Sequence, residues 1–350
     1  MDVFACRSCE AELTASVSRV AFPVYGRNTY GNGHAVPVLM ESGTYAVDPE
    51  PFGPPWRKWG DIDESEAEAR GVYAPVRSLS FGTPGPVFLA PGDVHGTVLI
   101  PERNEGLCCG LDGRDGPNLA CARCGHPVAT RVDDCSLWQL AWLEPSAVRC
   151  VPTGPARPIA DWQTLAAERR STPPVEANGG WSPRWEATVA VTLAHLVAAS
   201  GGSPVSVPDG PVADTFRRHL DHLLPPGPPA KHAALAGPGL PTPDPAPDIA
   251  LVPQHPQTGE PWEPPSGATA VPLAANVWMH LAFHNERRLV PATGTLPHGV
   301  ERDDPLPPHP ARPLRPVHQV FLDTLARLPA VRQPWLRAVH DGGPAMFHPR

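Results

Sequence analysis

The chain has 350 residues, of which 41% are hydrophobic, and its formal net charge is −8. A chain of this length usually holds about two domains, and its apolar content is sufficient for packed cores, which excludes wholesale disorder. The acidic balance disfavours a polyanionic partner, so nucleic-acid binding ranks last among the functions considered below.

The leader and membrane signals in the sequence decide how its cysteines are interpreted. The first residues lack the basic and apolar stretches of a signal peptide, and the longest apolar run, at 187–199, is interrupted by polar residues. We therefore expect a cytoplasmic protein without a membrane span. All eight cysteines lie within residues 1–150, and half of them form CxxC pairs. Without a secretion signal this usage favours metal binding over disulfides.

Residues 1–150 are predicted to form a β-rich domain. The 50 prolines and 31 glycines of the chain favour short elements with long connections. Short apolar segments bounded by glycine, proline or asparagine indicate strands. The predicted strands are 17–24, 35–40, 72–79, 87–89 and 97–100, with 136–143 as a closing strand or a short helix.

Residues 151–350 are predicted to form a second domain, mainly helical, with an α/β arrangement as the alternative. Capping residues and helical spacing predict helices at 161–170, 183–200, 210–224, 273–288, 317–328 and 335–339. The apolar run 248–252 predicts a buried strand. The proline-dense stretches 225–247 and 304–316 are either extended linkers or polyproline-II segments on the surface. The predicted fold class is thus α+β, with a metal-clasped β-rich domain first and a proline-rich domain second.

Two short cysteine loops are the strongest functional signal. They are C-R-S-C, with Cys6 and Cys9, and C-A-R-C-G, with Cys121 and Cys124. A CxxC turn places two sulfurs on one side of a tight loop, and two such turns supply the tetrahedral thiolate set that zinc prefers. We therefore predict one structural zinc ion bound by these four cysteines, and the alternative is two unrelated cysteine pairs.

These loops resemble the knuckles of zinc ribbons and of the two-knuckle β-tent domains of the Yippee and methionine sulfoxide reductase B type. The resemblance covers about ten residues at each knuckle, and the separation between the knuckles is far longer than the roughly 15–20 residues of a zinc ribbon. It implies a β-domain between the knuckles and an aromatic cage beside the zinc for a small ligand. The tryptophans at 56, 59, 138 and 142 are the candidates for such a cage, with core packing as the favoured alternative.

The remaining cysteines allow three interpretations. Cys108 and Cys109 lie in a glycine-rich turn, G-L-C-C-G, and Cys135 follows 26 residues after Cys109, with His95 and His126 nearby in sequence. They form a second metal site, perform nucleophilic catalysis with His95 as the activating base, or are small buried hydrophobic residues, which is the interpretation we favour.

Other polar pairs carry weaker signals. Asp133 and Asp134 are candidate acid–base carboxylates, but neighbouring strand residues point to opposite faces. His280 and His284 have the spacing of an HExxH metal site without its glutamate, because Leu281 stands in that place. His219 and His222 form a further pair on a predicted helix. We expect these histidines to be structural.

Two classes of function remain, and a nucleic-acid-binding zinc-knuckle protein comes third. The first is a non-catalytic, zinc-stabilised binding or scaffolding protein, whose partner is a protein or a small ligand. The second is an enzyme with a Cys/His or second-metal site near Cys108 and Cys109. The closed ligand set and the lack of a recognisable catalytic motif favour the first.

Overall fold

The computed structural model describes residues 1–28, 36–104, 106, 108, 110–265, 267–284, 310 and 312–342. They divide into two compact units. Unit 1 comprises Met1–Asp63, Val76–Ile159 and Gln257–Gly259, and unit 2 comprises Glu64–Pro75, Ala160–Pro256 and Glu260–Arg350. The fold is of the α+β class, as predicted, and its amino-terminal part is rich in strands. The predicted domain division near residue 150 stays a prediction.

Unit 1 is built from short strands. They are β1 (Asp2–Cys6), β2 (Ser18–Arg19), β3 (Thr44–Val47), β4 (Trp56–Lys58), β5 (Ser78–Ser80), β6 (Val87–Leu89), β7 (Thr97–Leu99), β8 (Leu119–Cys121), β9 (Pro127–Val132), β10 (Leu140–Leu143) and β11 (Val148–Pro152). Strands β6 and β7 lie where the sequence predicts them. The predicted strands at 17–24 and 72–79 are mostly wrong, since only Ser18–Arg19 and Ser78–Ser80 form strand there.

The strands of unit 1 form one large sheet and two small ones. The large sheet has seven strands in the order β2-β3-β6-β10-β9-β8-β7, and the pairs β1-β11 and β4-β5 are separate. Because side chains alternate along a strand, β6 supplies both faces of the large sheet. Val87 and Leu89 join the buried cluster that contains Cys6 and Cys121. The Phe88 ring lies on the other face, 4.9 Å from the Phe52 ring.

Unit 2 combines helices with a parallel sheet. Its elements are α1 (Glu64–Ala69), α2 (Trp162–Glu168), α3 (Pro183–Ser200), β12 (Val205–Ser206), α4 (Pro211–Leu223), β13 (Lys231–Leu235), β14 (Ile249–Gln254), β15 (Thr269–Ala274), α5 (Ala275–Phe283), α6 (His318–Arg327) and α7 (Pro334–Asp341). A 3-10 helix, Pro329–Arg332, joins the last two. The sheet runs in chain order, β12-β13-β14-β15, and its strand pairs are parallel.

The cap and proline signals in the sequence located the starts of α2 and α3. Asp161 caps α2, and its side chain accepts a hydrogen bond of 2.7 Å from the Thr164 N–H. Pro183 begins α3, which ends at Gly201 in the left-handed conformation. Gly210 precedes α4, and the neighbouring Asp209 pairs with Arg217 at 2.7 Å.

Helix α3 lies at the centre of unit 2. It is buried along most of its length, including Trp185 and Leu193. The Thr192 hydroxyl donates a hydrogen bond of 2.9 Å to the Pro272 carbonyl, which ties the helix to β15. On the same sheet, the Trp278 indole of α5 donates to the Leu251 carbonyl at 3.0 Å. In the part of the chain that the structure describes, no helix is both long enough and apolar enough to cross a membrane.

Candidate metal centre

The two CxxC turns share one backbone geometry. Cys6 ends β1, its carbonyl accepts from the Glu10 N–H, and its own N–H donates to the Ala11 carbonyl, each at 2.8 Å. Cys121 ends β8 and makes the same two bonds at the same chain offsets, with Gly125 and His126, again at 2.8 Å. Each strand end therefore turns back on itself in the same way and directs its two sulfurs to one side.

Each turn needs a left-handed residue directly after its second cysteine. Gly125 occupies this position in the second turn with φ of 74°, and Glu10 occupies it in the first with φ of 63°. A glycine adopts this conformation without steric cost, whereas a residue with a Cβ pays roughly 1–2 kcal/mol. Glu10 in the first turn thus adopts a backbone conformation that its own side chain disfavours.

The four thiols lie together. The Cys6 Sγ is 3.7 Å from the Cys124 Sγ, and the Cys9 Sγ is 3.5 Å from the Cys121 Sγ. All four sulfurs lie within 4.8 Å of one another. A metal–sulfur distance of about 2.3 Å in a tetrahedron gives sulfur separations of about 3.8 Å. The cluster therefore has the size of a four-thiolate metal site.

The cluster is half inside the core of unit 1. Cys6 and Cys121 are fully buried, Cys9 is half-buried and Cys124 is exposed. The Arg123 guanidinium of the second turn donates a hydrogen bond of 3.1 Å to the Cys9 carbonyl of the first. Because β1 belongs to a two-stranded sheet and β8 to the seven-stranded sheet, the cluster joins two sheets.

The thiols differ in acidity because they share one small space. The pKa of Cys121 falls to about 7, because the raising effect of burial is outweighed by the N–H groups of Arg123 and Cys124 and by neighbouring thiols. At Cys9 the Ala11 backbone lowers the pKa, but burial and the neighbouring thiols raise it to about 12. One thiolate thus forms readily, and its negative charge disfavours ionisation of the other thiols. A bound cation is therefore needed to ionise all four.

Of the other cysteines that the structure describes, none belongs to this cluster. Cys108, Cys135 and Asp134 form a second group, whose donor atoms lie within 4.8 Å of one another. Cys109 lies outside the described residues. Among the described residues, neither metal-competent group contains a histidine, so the structure does not bring the predicted histidine partner to the second one.

Asp133 and Asp134 lie in different environments, as their adjacency predicts. Asp133 is half-buried and pairs with Arg131 at 2.8 Å. Asp134 is buried, and its Oδ2 accepts a hydrogen bond of 3.2 Å from the Cys108 N–H. Sequence reasoning missed Asp134 as a partner of the cysteines, because its role depends on burial that the sequence does not show.

The two histidine pairs of unit 2 are arranged differently. The His280 and His284 rings are stacked face to face, with centroids 4.6 Å apart and planes 3° apart. Of the second pair, His219 is buried and His222 is exposed. Neither pair belongs to a group of metal-competent side chains in the described chain.

The tryptophans of unit 1 mainly fill its core. Trp138 and Trp142 are buried, and Trp142 packs against Phe52 with ring centroids 5.1 Å apart. Trp142 pairs with Phe88, and its neighbour Leu143 pairs with Val87 and belongs to the cluster around Cys6. Trp142, Phe88 and Phe52 thus occupy the face of the sheet opposite the cysteines, while Trp56, at their edge, is 45% exposed. No protein-family model, curated protein or solved structure matches the chain.

Proposed function

We propose that this protein is a cytoplasmic, zinc-stabilised binding or scaffolding protein without catalytic activity. The cluster of Cys6, Cys9, Cys121 and Cys124 carries the proposal. Four protein ligands complete a tetrahedral coordination sphere and leave no position for a substrate. An ion held in this way contributes to folding rather than to chemistry.

Zinc is the ion that the donor set favours. Thiolates select zinc or iron–sulfur centres over hard cations such as Mg²⁺ or Ca²⁺. Two of the sulfur separations, 3.7 Å and 3.5 Å, approach the edge of a tetrahedral zinc–thiolate site. Burial of Cys6 and Cys121 supports a structural role, because it keeps the ion away from exchange with solvent.

The partner is proposed to be a protein or a small ligand that contacts the aromatic face of unit 1. Trp56 is 45% exposed there, its ring centroid lies 5.9 Å from that of Phe52, and neighbouring Arg57 lies over the Phe81 ring at 4.4 Å. Tryptophan and arginine are enriched at the centres of interfaces. The net charge of −8 argues against nucleic acid as the partner.

Metal analysis of the purified protein tests the zinc proposal. Two double variants, Cys6→Ser with Cys9→Ser and Cys121→Ser with Cys124→Ser, remove one turn each. We expect each to lose the same zinc ion, because both turns bind it. The control is Cys150→Ser, which removes an exposed cysteine outside the cluster and is expected to retain the metal. An unchanged zinc content in either double variant contradicts a shared site.

Affinity purification from extracts of the native cell tests the binding proposal. We expect Trp56→Ser to lose a partner that the wild-type protein retains. Val98→Ser is the matched control, because Val98 is 52% exposed on β7, in the edge strand of the large sheet. A partner that Trp56→Ser and the wild-type protein retain equally contradicts a role for the aromatic face.

A further inference from the structure

A second group of potential ligands lies in unit 1, apart from the four-cysteine cluster. The Cys108 and Cys135 sulfurs and a carboxylate oxygen of Asp134 lie within 4.8 Å of one another, although Cys108 is distant in sequence from the other two. Asp134 is buried, Cys135 is half-buried and Cys108 is exposed. The group therefore has an inner, carboxylate side and an outer side open to solvent.

The backbone holds these residues together independently of any ion. Leu111 and Asp133 form an antiparallel bridge through two hydrogen bonds, of 3.0 Å and 2.8 Å. Beyond this bridge the Cys108 N–H donates to the Asp134 carboxylate at 3.2 Å. The group is thus held by a main-chain bridge and by one hydrogen bond from the main chain to the carboxylate.

Two glycines permit the close approach of these two segments. A Cβ at Gly110 would lie 2.0 Å from the Asp133 carbonyl oxygen, and one at Gly106 would lie 2.8 Å from the Asp134 Oδ2. Real Cβ atoms do not approach backbone or carboxylate oxygens so closely, so each position requires glycine. Gly106 and Gly110 therefore permit the approach of Cys108 to Asp134 and Cys135.

The donor set fits a divalent ion of the zinc type. Two thiolates and one carboxylate around zinc, at about 2.3 Å and about 2.0–2.2 Å, place the donor atoms about 3.5–3.8 Å apart. Small side-chain adjustments reach this spacing from a group already within 4.8 Å. A bound cation also stabilises two thiolates and a carboxylate together at close range, and the thiols release their protons when it binds.

We propose that Cys108, Asp134 and Cys135 form a second, solvent-accessible zinc site with three protein ligands. The fourth coordination position is taken by water or by a small anionic or thiol ligand from solution. In this respect the site differs from the four-cysteine cluster, whose ligands close the coordination sphere. Three-ligand sites with an open position are the arrangement in which zinc binds exchangeable ligands.

Stoichiometry after equilibration with Zn²⁺ under reducing conditions tests this site. We expect two zinc ions per chain in the wild-type protein and one in Cys135→Ser. Asp134→Asn keeps an oxygen that accepts from the Cys108 N–H, so it tests the carboxylate without removing that bond. We expect this variant to bind the second zinc ion more than about 10-fold less tightly. Even the loss of a hydrogen-bond partner of a ligand lowers metal affinity about 10–100-fold. Cys150→Ser is the control and keeps two ions.

Co²⁺ substitution gives a readout of the ligands themselves. The first ion to bind should give the absorption of a four-thiolate site, and the second the weaker sulfur-to-cobalt absorption of two thiolates, which added cyanide or a small thiol shifts. The shift should vanish in Cys108→Ser and Cys135→Ser, while the first absorption persists. One ion per wild-type chain, a second ion indifferent to these substitutions, or a Cys108–Cys135 disulfide that persists under reductant overturns the proposal. If the four-thiolate absorption alone is absent and the second ion still binds, the structural zinc is refuted instead.

Discussion

At the scale of single residues, the two CxxC turns can be compared directly, because they share one backbone geometry but carry different side chains at one position. The position after the second cysteine has positive φ in both turns, at Glu10 and at Gly125. The hydrogen bonds of the turns match, so the side chain is the main local difference. The effect of a Cβ at this position can therefore be measured.

We predict that Gly125→Ala lowers the free energy of unfolding of unit 1 by roughly 1 kcal/mol, since alanine disfavours the left-handed conformation. No atom lies within 4 Å of the added Cβ, so the cost is conformational rather than steric. Gly92→Ala is the matched control, because its Cβ also meets open space and its φ is not positive. Denaturant titration of both variants checks this, and equal effects in the two would contradict it.

His280 gives unit 2 a dependence on pH. Burial, and then the nearby His284, lower the pKa of His280 to about 4. In the unfolded chain the pKa returns to about 6.5. Between about pH 4 and pH 6.5, His280 therefore binds a proton in the unfolded state but not in the folded state. The stability that neutral His280 contributes is present above about pH 6.5 and is lost as the pH falls towards 4.

The prediction is therefore a loss of stability on acidification, of at most about 1.4 kcal/mol per pH unit and less where solvent reaches the ring. His280→Phe keeps a ring against Trp185, whose centroid lies 5.4 Å away, and should flatten the profile between pH 4 and 6.5. His222→Gln changes an exposed histidine on α4 and should leave the wild-type slope. Urea unfolding across this range checks the prediction, and a wild-type slope in His280→Phe would refute it.

The proximity of the four cysteines was predictable at this scale, whereas the place of Asp134 was not. A CxxC pair constrains its own geometry, and two pairs in one domain have few other uses. A carboxylate carries no such constraint, because its role depends on burial. Asp134 is buried, and Gly106 and Cys108 approach its carboxylate from a distant part of the sequence, which depends on tertiary structure.

At the scale of elements, the sequence separated helices from strands well only where caps were present. The segment beginning at Leu273 was predicted as helix, and this was wrong at its start, because β15 runs to Ala274 and α5 begins at Ala275. A short apolar run has no periodicity that distinguishes a buried strand from a helix. Strand β13 was missed within the proline-dense stretch 225–247 for a related reason. Most of the stretch 304–316 lies outside the described residues.

The packing of α5 on the parallel sheet yields a test of this arrangement. Gly237 follows β13, and a Cβ there would lie 2.3 Å from the Trp278 ring. Trp278 is fully buried and hydrogen-bonded to Leu251, so it cannot move aside cheaply. We predict that Gly237→Ala destabilises unit 2 by roughly 1–3 kcal/mol through overpacking.

A double-mutant cycle separates this steric effect from a change in loop conformation. Trp278→Phe removes the ring atoms nearest to Gly237, so Gly237→Ala should cost less in its presence than in the wild-type protein. The coupling should exceed about 0.5 kcal/mol, the threshold for residues in direct contact. Additive effects in thermal unfolding of the four proteins would show that the ring is not the cause.

At the scale of the whole molecule, the chain order and the structural units diverge. Residues Glu64–Pro75 belong to unit 2, although unit 1 precedes and follows them in sequence. The Tyr73 N–H donates to the Ala326 carbonyl at 2.7 Å, and Arg332 pairs with Glu68 at 2.8 Å. These contacts join the segment to the α6–α7 part of unit 2.

The proposed zinc ion closes a loop from Cys9 to Cys121, which are 112 residues apart. Cross-links that close long loops restrict the unfolded chain, so their loss destabilises the structure they span. The span includes Glu64–Pro75, but the metal cluster and its core belong to unit 1. The response of Glu64–Pro75 to metal removal therefore shows whether the ion stabilises the whole loop that it closes or only unit 1.

We predict that a chelator increases hydrogen exchange in peptides from 1–63 and 76–159, while peptides from 64–75 stay as protected as those from 160–256. Exchange monitored by mass spectrometry gives this comparison within one sample. The variant with Cys6→Ser and Cys9→Ser should show the same pattern without chelator and no further response to it. Loss of protection at 64–75 together with its sequence neighbours would mean that the metal stabilises a span of sequence, whereas its retention means that the metal stabilises a unit of structure.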